Sequence, residues 1–269
     1  MEVLEVVEQQ PRIVIKENVL STSDNNGIDY EEIKKKLPKR HGPLLPNNIR
    51  ALVCGPSSCG KTSVLINLLL QPDALNYENV YLYSKTLFQD KYRKLKNIYS
   101  LVPEIKFYFN DNVYGDANAT DSGGSGGILP MGETMKNSIV IFDDVICTRE
   151  NLNNIREYFC TARHKNIDVF YLHQCYANVP KHLIRDNTNF LIIFRQDLTN
   201  LRHIYSDFCS SDCSFETFKR ICDHCWRDSK FSFLVISLEN PPNNGKFRKC
   251  FHEFVNVKIP DEYEEKSLI

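Results

Sequence analysis

The chain has 269 residues, 42% of them hydrophobic, which is enough to bury a core in one large or two small domains. Lys and Arg number 33 against 34 Asp and Glu, a formal charge of -1, so any nucleic-acid surface must come from uneven placement of charge. No apolar run approaches the roughly 18 to 20 residues that span a bilayer, and MEVLEVVEQQ carries acids where a secretory leader carries Lys or Arg, so an intracellular protein with no membrane partner is expected.

Residues 1–45 lack sustained periodicity and read as a flexible N-terminal arm. Its basic run KKKLPKRH, from Lys34 to His41, also fits a nuclear localisation signal or a DNA-contacting arm. Over 46–200, short apolar runs alternate with helix-length segments: ALVC (51–54), VYLYS (80–84), IKFYF (105–109), SIVIF (138–142), DVFYLH (168–173) and FLIIF (190–194). Runs of this length and composition predict βαβ units around a buried, mostly parallel sheet, an α/β three-layer sandwich. Between IKFYF and SIVIF, the stretch containing DSGGSGG predicts a mobile loop. Residues 201–269, with the helical patterns DLTNLRHIYSDF and FETFKRICDHCW just before or within them and then FSFLVISL and KCFHEFVNV, are expected to complete the same domain with helices and edge strands. The ten cysteines are scattered among apolar runs (Cys54, Cys147, Cys160, Cys175) and fit reduced thiols.

Gly55-Pro56-Ser57-Ser58-Cys59-Gly60-Lys61-Thr62 fits G-x-x-x-x-G-K-[ST] between a predicted strand and a predicted helix. Such a turn curls so that successive N–H groups point at phosphate oxygens, with the helix N-terminus adding positive potential. Residues Gly55 to Ser63 are therefore the predicted nucleotide ligands. Lys61 is expected on the β- and γ-phosphates, and Thr62 on Mg²⁺.

A second element should deliver a carboxylate to the metal, and SIVIF-Asp143-Asp144 supplies it. Asp143 is expected to hold Mg²⁺ through water and Asp144 to activate the attacking water, although an Asp pair ending a strand can also cap the next helix. Two strand candidates intervene between the motifs, so the acidic strand need not adjoin the cradle strand. That is the additional-strand arrangement of P-loop NTPases that turn ATP into motion. ATP is preferred to GTP because no Asn/Thr-Lys-x-Asp guanine-reading pattern is present. Gln174, at the end of DVFYLH, would reach the γ-phosphate to orient water or sense its presence.

LLPNNIRALVCGPSSCGKTSVLINLL, NSIVIFDDV and ARHKNIDVFYLHQCYANVPKHLIRDNTNFLIIFRQ together resemble the genome-packaging ATPases of the FtsK/HerA superfamily, in the poxvirus-like form carried by large DNA viruses, adintoviruses and Polinton/Maverick elements. The resemblance spans about residues 38–255, and its specific part is the RHKN…Gln…Pro…Arg-x-Asn-x-Asn block. It implies that Lys61 and Thr62 bind nucleotide and Mg²⁺, that Asp143 and Asp144 are the acidic pair, and that Gln174 is the sensor. It also implies a homo-oligomeric ring pulling double-stranded DNA into a capsid, with capsid or portal components as partners, in the host nucleus or cytoplasm or with the virion. The family often has Glu where Asp144 stands, which shortens the reach of the base.

A ring motor needs an arginine donated across the subunit boundary. Arg163 is the first candidate, with Arg156, Arg185 and Arg195 as alternatives; Arg163 also reads as a surface residue of a basic turn. Lys91, Arg93, Lys94 and Lys96 could meet DNA phosphates or form a solvated helix face. Cys209, Cys213, Cys222 and Cys225 could hold zinc, but FETFKRICDHCW reads as an amphipathic helix that buries Cys222. Two other readings are a P-loop kinase acting on a small molecule and a domesticated nucleotide-binding protein that no longer hydrolyses ATP.

Overall fold

The six apolar runs of the core become six parallel strands whose carboxyl ends all open on one edge of a sheet. A computed structural model describes residues 13–17, 40–111, 127–145 and 149–257. In chain order the strands are β1 (Ile13–Glu17), β2 (Arg50–Cys54), β3 (Asn79–Ser84), β4 (Lys106–Asn110), β5 (Ser138–Asp143), β6 (Ile167–His173), β7 (Phe190–Ile193), β8 (Leu234–Ser237), β9 (Phe247–Lys249) and β10 (Glu253–Val257). They form one ten-stranded sheet in the order β1-β10-β9-β8-β7-β2-β6-β5-β3-β4. From β7 to β4 every pairing is parallel, while β8, β9, β10 and β1 continue the sheet antiparallel.

The strand between β2 and β5 is β6, which follows both in sequence. The two runs lying between the motifs in the chain, β3 and β4, instead occupy the outer side of β5. The sheet is thus of the additional-strand kind.

Both faces are covered, as strands without alternation require. Helices α1 (Lys61–Leu70) and α2 (Asp90–Ser100) pack on one face over Ala51, Val53, Ile139 and Ile141. Helices α3 (Arg149–Thr161), α4 (Leu198–Phe208) and α5 (Phe215–Trp226) pack on the other over Leu52, Val140, Phe142 and Tyr171. The period-2 alternation of the strands assigns successive residues to the two cores. At about 1.5–3 kcal/mol for each fully buried large apolar side chain, these two layers drive the fold. Local chemistry sets the helix starts: the Asp197 carboxylate accepts the Asn200 N–H at 2.9 Å to begin α4, and the Ser214 hydroxyl accepts the Thr217 N–H at 3.2 Å to begin α5.

Of the expected arm, Ile13–Glu17 pairs antiparallel with β10. Residues 34–39 of the basic run, most of the DSGGSGG loop and Cys147 lie outside the described residues. Among the described residues no helix is long and apolar enough to cross a membrane.

Candidate nucleotide site

Strand register brings the three sequence motifs to one place. Cys54 on β2 lies opposite His173 on β6, and Asp143 on β5 lies opposite Leu172 on β6. Gly55, Asp143 and Gln174 therefore leave their strands at the same edge of the sheet. At that edge lies a cleft of about 340 Å³, whose lining includes Ser57, Lys61, Thr62, Asp143, Asp144 and Gln174. Ligands of open parallel sheets bind at this edge.

The loop is held open by its glycines. A Cβ on Gly55 would lie 2.6 Å from Phe194 Cβ and 2.7 Å from Cys59 Sγ, so only glycine fits against these two side chains. Gly60 has φ +111°, a backbone that side chains disfavour, and it turns the chain into α1. No side chain caps that helix and its first turn holds no acid, which leaves its N-terminal end positive toward the cleft. Cys59 is buried against the core, and burial pushes its thiol up. Its sulfur fills space, and it is not a poised thiolate.

Lys61 Nζ donates to the Gly55 carbonyl at 2.6 Å and the Pro56 carbonyl at 3.0 Å, so the ammonium lies across the loop mouth. Gln174 bridges the two motifs: its Oε1 accepts from Ser57 Oγ at 3.3 Å, and its Nε2 donates to Asp144 Oδ2 at 3.4 Å. Asp144 sits at φ 53°, with its N–H on the Leu172 carbonyl at 3.2 Å. The left-handed conformation is one that Asp and Asn adopt more readily than longer side chains. This gives a local reason for Asp at the position where the resembled family often has Glu.

Asp143 is buried, and its Oδ2 accepts a short hydrogen bond from the Tyr92 hydroxyl of α2. Burial pushes its carboxyl above the ordinary range, the Tyr92 bond and Lys61 pull it back, and the Asp144 charge adds to the rise. Thr62, Asp143 and Asp144 offer hard oxygens on one cleft, a donor set that suits Mg²⁺ completed by water and phosphate. Among the described residues no cluster of three or more His, Cys, Asp or Glu is placed to bind a metal by itself.

A raised carboxylate pKa has a stability consequence of definite sign. The protonated form is favoured in the fold, so stability is full below the unfolded pKa of about 3.9 and declines as pH rises through the raised folded value. Asp143→Asn is therefore expected to raise the melting temperature at pH 7 without nucleotide or Mg²⁺, with the gain vanishing near pH 3. Thermal melts across pH check this; a variant melting lower than wild type at pH 7 contradicts it.

Several residues at the site escape the motifs. Tyr92 and Lys91 come from the start of α2, and Lys91 Nζ donates to Ser63 Oγ at 2.7 Å. Lys91, a candidate DNA contact from the sequence, thus borders this cleft. Lys94 and Lys96 remain on the exposed face of α2, opposite the buried Tyr92, Leu95 and Tyr99. His173 also lines the cleft, and burial lowers its imidazole pKa. The run DVFYLHQ contains this histidine, but nothing in its spacing marks it.

Arg163 is not brought to this cleft. It is exposed on the turn before β6, at the opposite edge of the sheet, near enough to Arg50 for the two charges to repel. Arg156 is also exposed, on α3. Arg185 is buried and pairs with Asp207 at 2.8 Å, a structural engagement. Arg195 donates to the Trp226 carbonyl at 3.2 Å. The cysteines considered for zinc belong to the core: Cys209, Cys222 and Cys225 are buried, and burial raises the half-buried Cys213 thiol to about 11.

No protein-family model and no curated protein matches the chain. Among solved structures it is similar to the genome packaging NTPase B204 from Sulfolobus turreted icosahedral virus 2 in complex with sulfate, at 13% identity and a TM-score of 0.46, over 80% of this chain and 98% of that one. The same protein in complex with AMP matches at 10% identity and a TM-score of 0.46, over 80% and 100% of the two chains. B204, the DNA-packaging ATPase from Sulfolobus turreted icosahedral virus, matches at 13% identity and a TM-score of 0.47, over 80% and 98%.

Proposed function

We propose that this chain is an ATP-hydrolysing subunit of a homo-oligomeric ring that moves double-stranded DNA into a viral capsid, encoded by a virus or a Polinton-like element. The observation that carries the hydrolytic part is Gln174, hydrogen-bonded to both the phosphate loop at Ser57 and the acid Asp144. One side chain then reports on the phosphate and on the group that activates water. The DNA-moving part rests on the resemblance of the block around Gln174 to packaging ATPases, and on the sheet order with β6 between β2 and β5.

In this reading Lys61 and the first-turn N–H groups of α1 hold the β- and γ-phosphates, and Asp144 takes the proton of the attacking water. Thr62 and Asp143 would hold Mg²⁺, which neutralises phosphate charge when bound. Tyr92 fixes the Asp143 carboxylate from α2, whose exposed Lys94 and Lys96 suit contact with DNA phosphates. Arg163, remote from its own cleft, is available to a neighbouring subunit's cleft.

The test is ATP turnover by the assembled protein with and without double-stranded DNA, with Lys61→Ala as background. DNA is expected to raise turnover several-fold, and Lys61→Ala to abolish it. A wild-type ring that DNA leaves unchanged would sink the motor reading; one that does not turn over ATP would sink the enzyme reading too.

A further inference from the structure

Gln174 is weakly held by its own side chain. It is exposed, and its two hydrogen bonds, to Ser57 and Asp144, are long at 3.3 and 3.4 Å. Its place in the cleft is therefore set by the backbone on either side. Upstream the sheet supplies this, because the Gly55 N–H donates to the His173 carbonyl at 3.2 Å. Downstream the chain leaves β6 for a short 3₁₀ turn, Tyr176–Asn178, so another element must hold it.

That element is α4, which grips the turn from both of the helix's ends. At the C-terminal end, Asp207 Oδ2 accepts from the Tyr176 hydroxyl and from Arg185 Nη1, each at 2.8 Å, a contact shared with the fold at large. At the N-terminal end, Asn200 is buried, and its Oδ1 accepts the Ala177 N–H at 2.8 Å and the Cys175 thiol at 3.5 Å. Asp197 orients this amide: its Oδ2 accepts from Asn200 Nδ2 at 2.6 Å, and its Oδ1 accepts the Asn200 N–H at 2.9 Å. With its donor engaged by Asp197, the amide turns its oxygen to the residues after Gln174. A capping box places Glu or Gln at this third helical position, where it reaches back to the N-cap N–H of its own helix. Asn200 instead presents its acceptor to a neighbouring segment.

Resting on the hydrolytic reading above, we propose that Asn200 is a positioning residue for ATP hydrolysis: through the Ala177 N–H it fixes the turn after β6 and so holds the Gln174 amide between Ser57 and Asp144. Asn200 lies behind the turn and acts only through it. Misplacement by about 1 Å at a reacting centre can cost about 10²-fold in rate, so a loosened turn is read in the rate of bound ATP and not in affinity.

Single-turnover hydrolysis by the assembled full chain and AMPPCP affinity are measured for wild type, Asn200→Ala, Gln174→Ala, their double variant and the swap Asp197→Asn/Asn200→Asp. Asn200→Ala is expected to lower the rate by roughly 10- to 100-fold with affinity within about twofold of wild type. The double variant should match Gln174→Ala alone, since both act through one side chain, whereas a general loss of stability multiplies with the Gln174 effect. The swap exchanges donor and acceptor between the two side chains, keeps an oxygen toward the Ala177 N–H, and is expected to restore most of the rate. An unimpaired Asn200→Ala, multiplied losses in the double variant, or a swap as slow as Asn200→Ala overturns the inference while Gln174 keeps its role. Hydrogen exchange over residues 175–178 reads the same coupling with Asn200 in place: AMPPCP with Mg²⁺ is expected to slow it in wild type and not in Gln174→Ala. Exchange that AMPPCP leaves unchanged in wild type, or slows equally in Gln174→Ala, also overturns it. Wild type that turns over no ATP, or Gln174→Ala as fast as wild type, overturns the hydrolytic reading and this inference with it.

Discussion

Asp144→Asn is expected to lower ATP turnover by roughly 10²- to 10⁴-fold, the usual contribution of a positioned general base, with nucleotide affinity nearly unchanged. The substitution keeps the left-handed backbone at φ 53°, which Asn adopts as readily as Asp, so the loop geometry is preserved. It also keeps an oxygen to accept from Gln174 Nε2, so the bridge to Ser57 persists. What it removes is the capacity to take a proton. Asp144→Glu is the instructive companion: it retains the base but places a longer side chain in a backbone conformation that disfavours it by about 1–2 kcal/mol. Single-turnover kinetics with binding measured separately give the decision. Turnover by Asp144→Asn within tenfold of wild type would remove Asp144 as the base and favour a nucleotide-binding protein whose water is activated elsewhere.

The parallel half of the sheet was legible because its strands carry β-branched and aromatic residues in uninterrupted runs, a pattern that only burial on both faces explains. VYLYS, SIVIF and DVFYLH each fall within one residue of an observed strand. The position of β6 between β2 and β5 was not legible. Sequence order suggested only that something intervenes, and the strands seen between the motifs turned out to lie beyond β5. The antiparallel side was harder still: β9 has three residues, and β1 pairs with β10 some 240 residues away, so neither carries a local signal strong enough to stand alone.

At the site, residues placed by backbone geometry were readable from spacing, since Gly55, Gly60, Lys61 and Thr62 fall in one turn from β2 into α1. Residues whose role comes from tertiary contact were not. Tyr92 belongs to a helix whose sequence reads as basic, and the i, i+3, i+7 stripe of Tyr92, Leu95 and Tyr99 announces burial without saying that one hydroxyl meets Asp143, 51 positions on.

Asp168→Ala is expected to cost about 3–5 kcal/mol, the typical loss when one partner of a buried ion pair is removed, against a total stability of about 5–15 kcal/mol. Asp168 is fully buried at the start of β6, where its Oδ1 accepts the Ile49 N–H at 2.8 Å. Its Oδ2 stands 3.0 Å from both Arg40 Nη1 and His41 Nε2. His41 is buried as well, and its Nδ1 accepts the Asn76 N–H at 3.0 Å, which puts the ring proton on Nε2, facing the carboxylate. Truncation thus strands the Ile49 N–H next to the cradle strand and leaves the Arg40 cation without its anion. Asp168→Asn is expected to cost less, because it keeps an acceptor for Ile49. In Arg40→Ala/Asp168→Ala the summed cost should fall short of additivity, since the second substitution removes the charge the first left uncompensated. Denaturant titration of wild type, Asp168→Ala, Asp168→Asn, Arg40→Ala and the double variant tests the network. An Asp168→Ala chain within 1 kcal/mol of wild type would mean that water replaces the carboxylate, and that the chain entering β2 is held by packing alone.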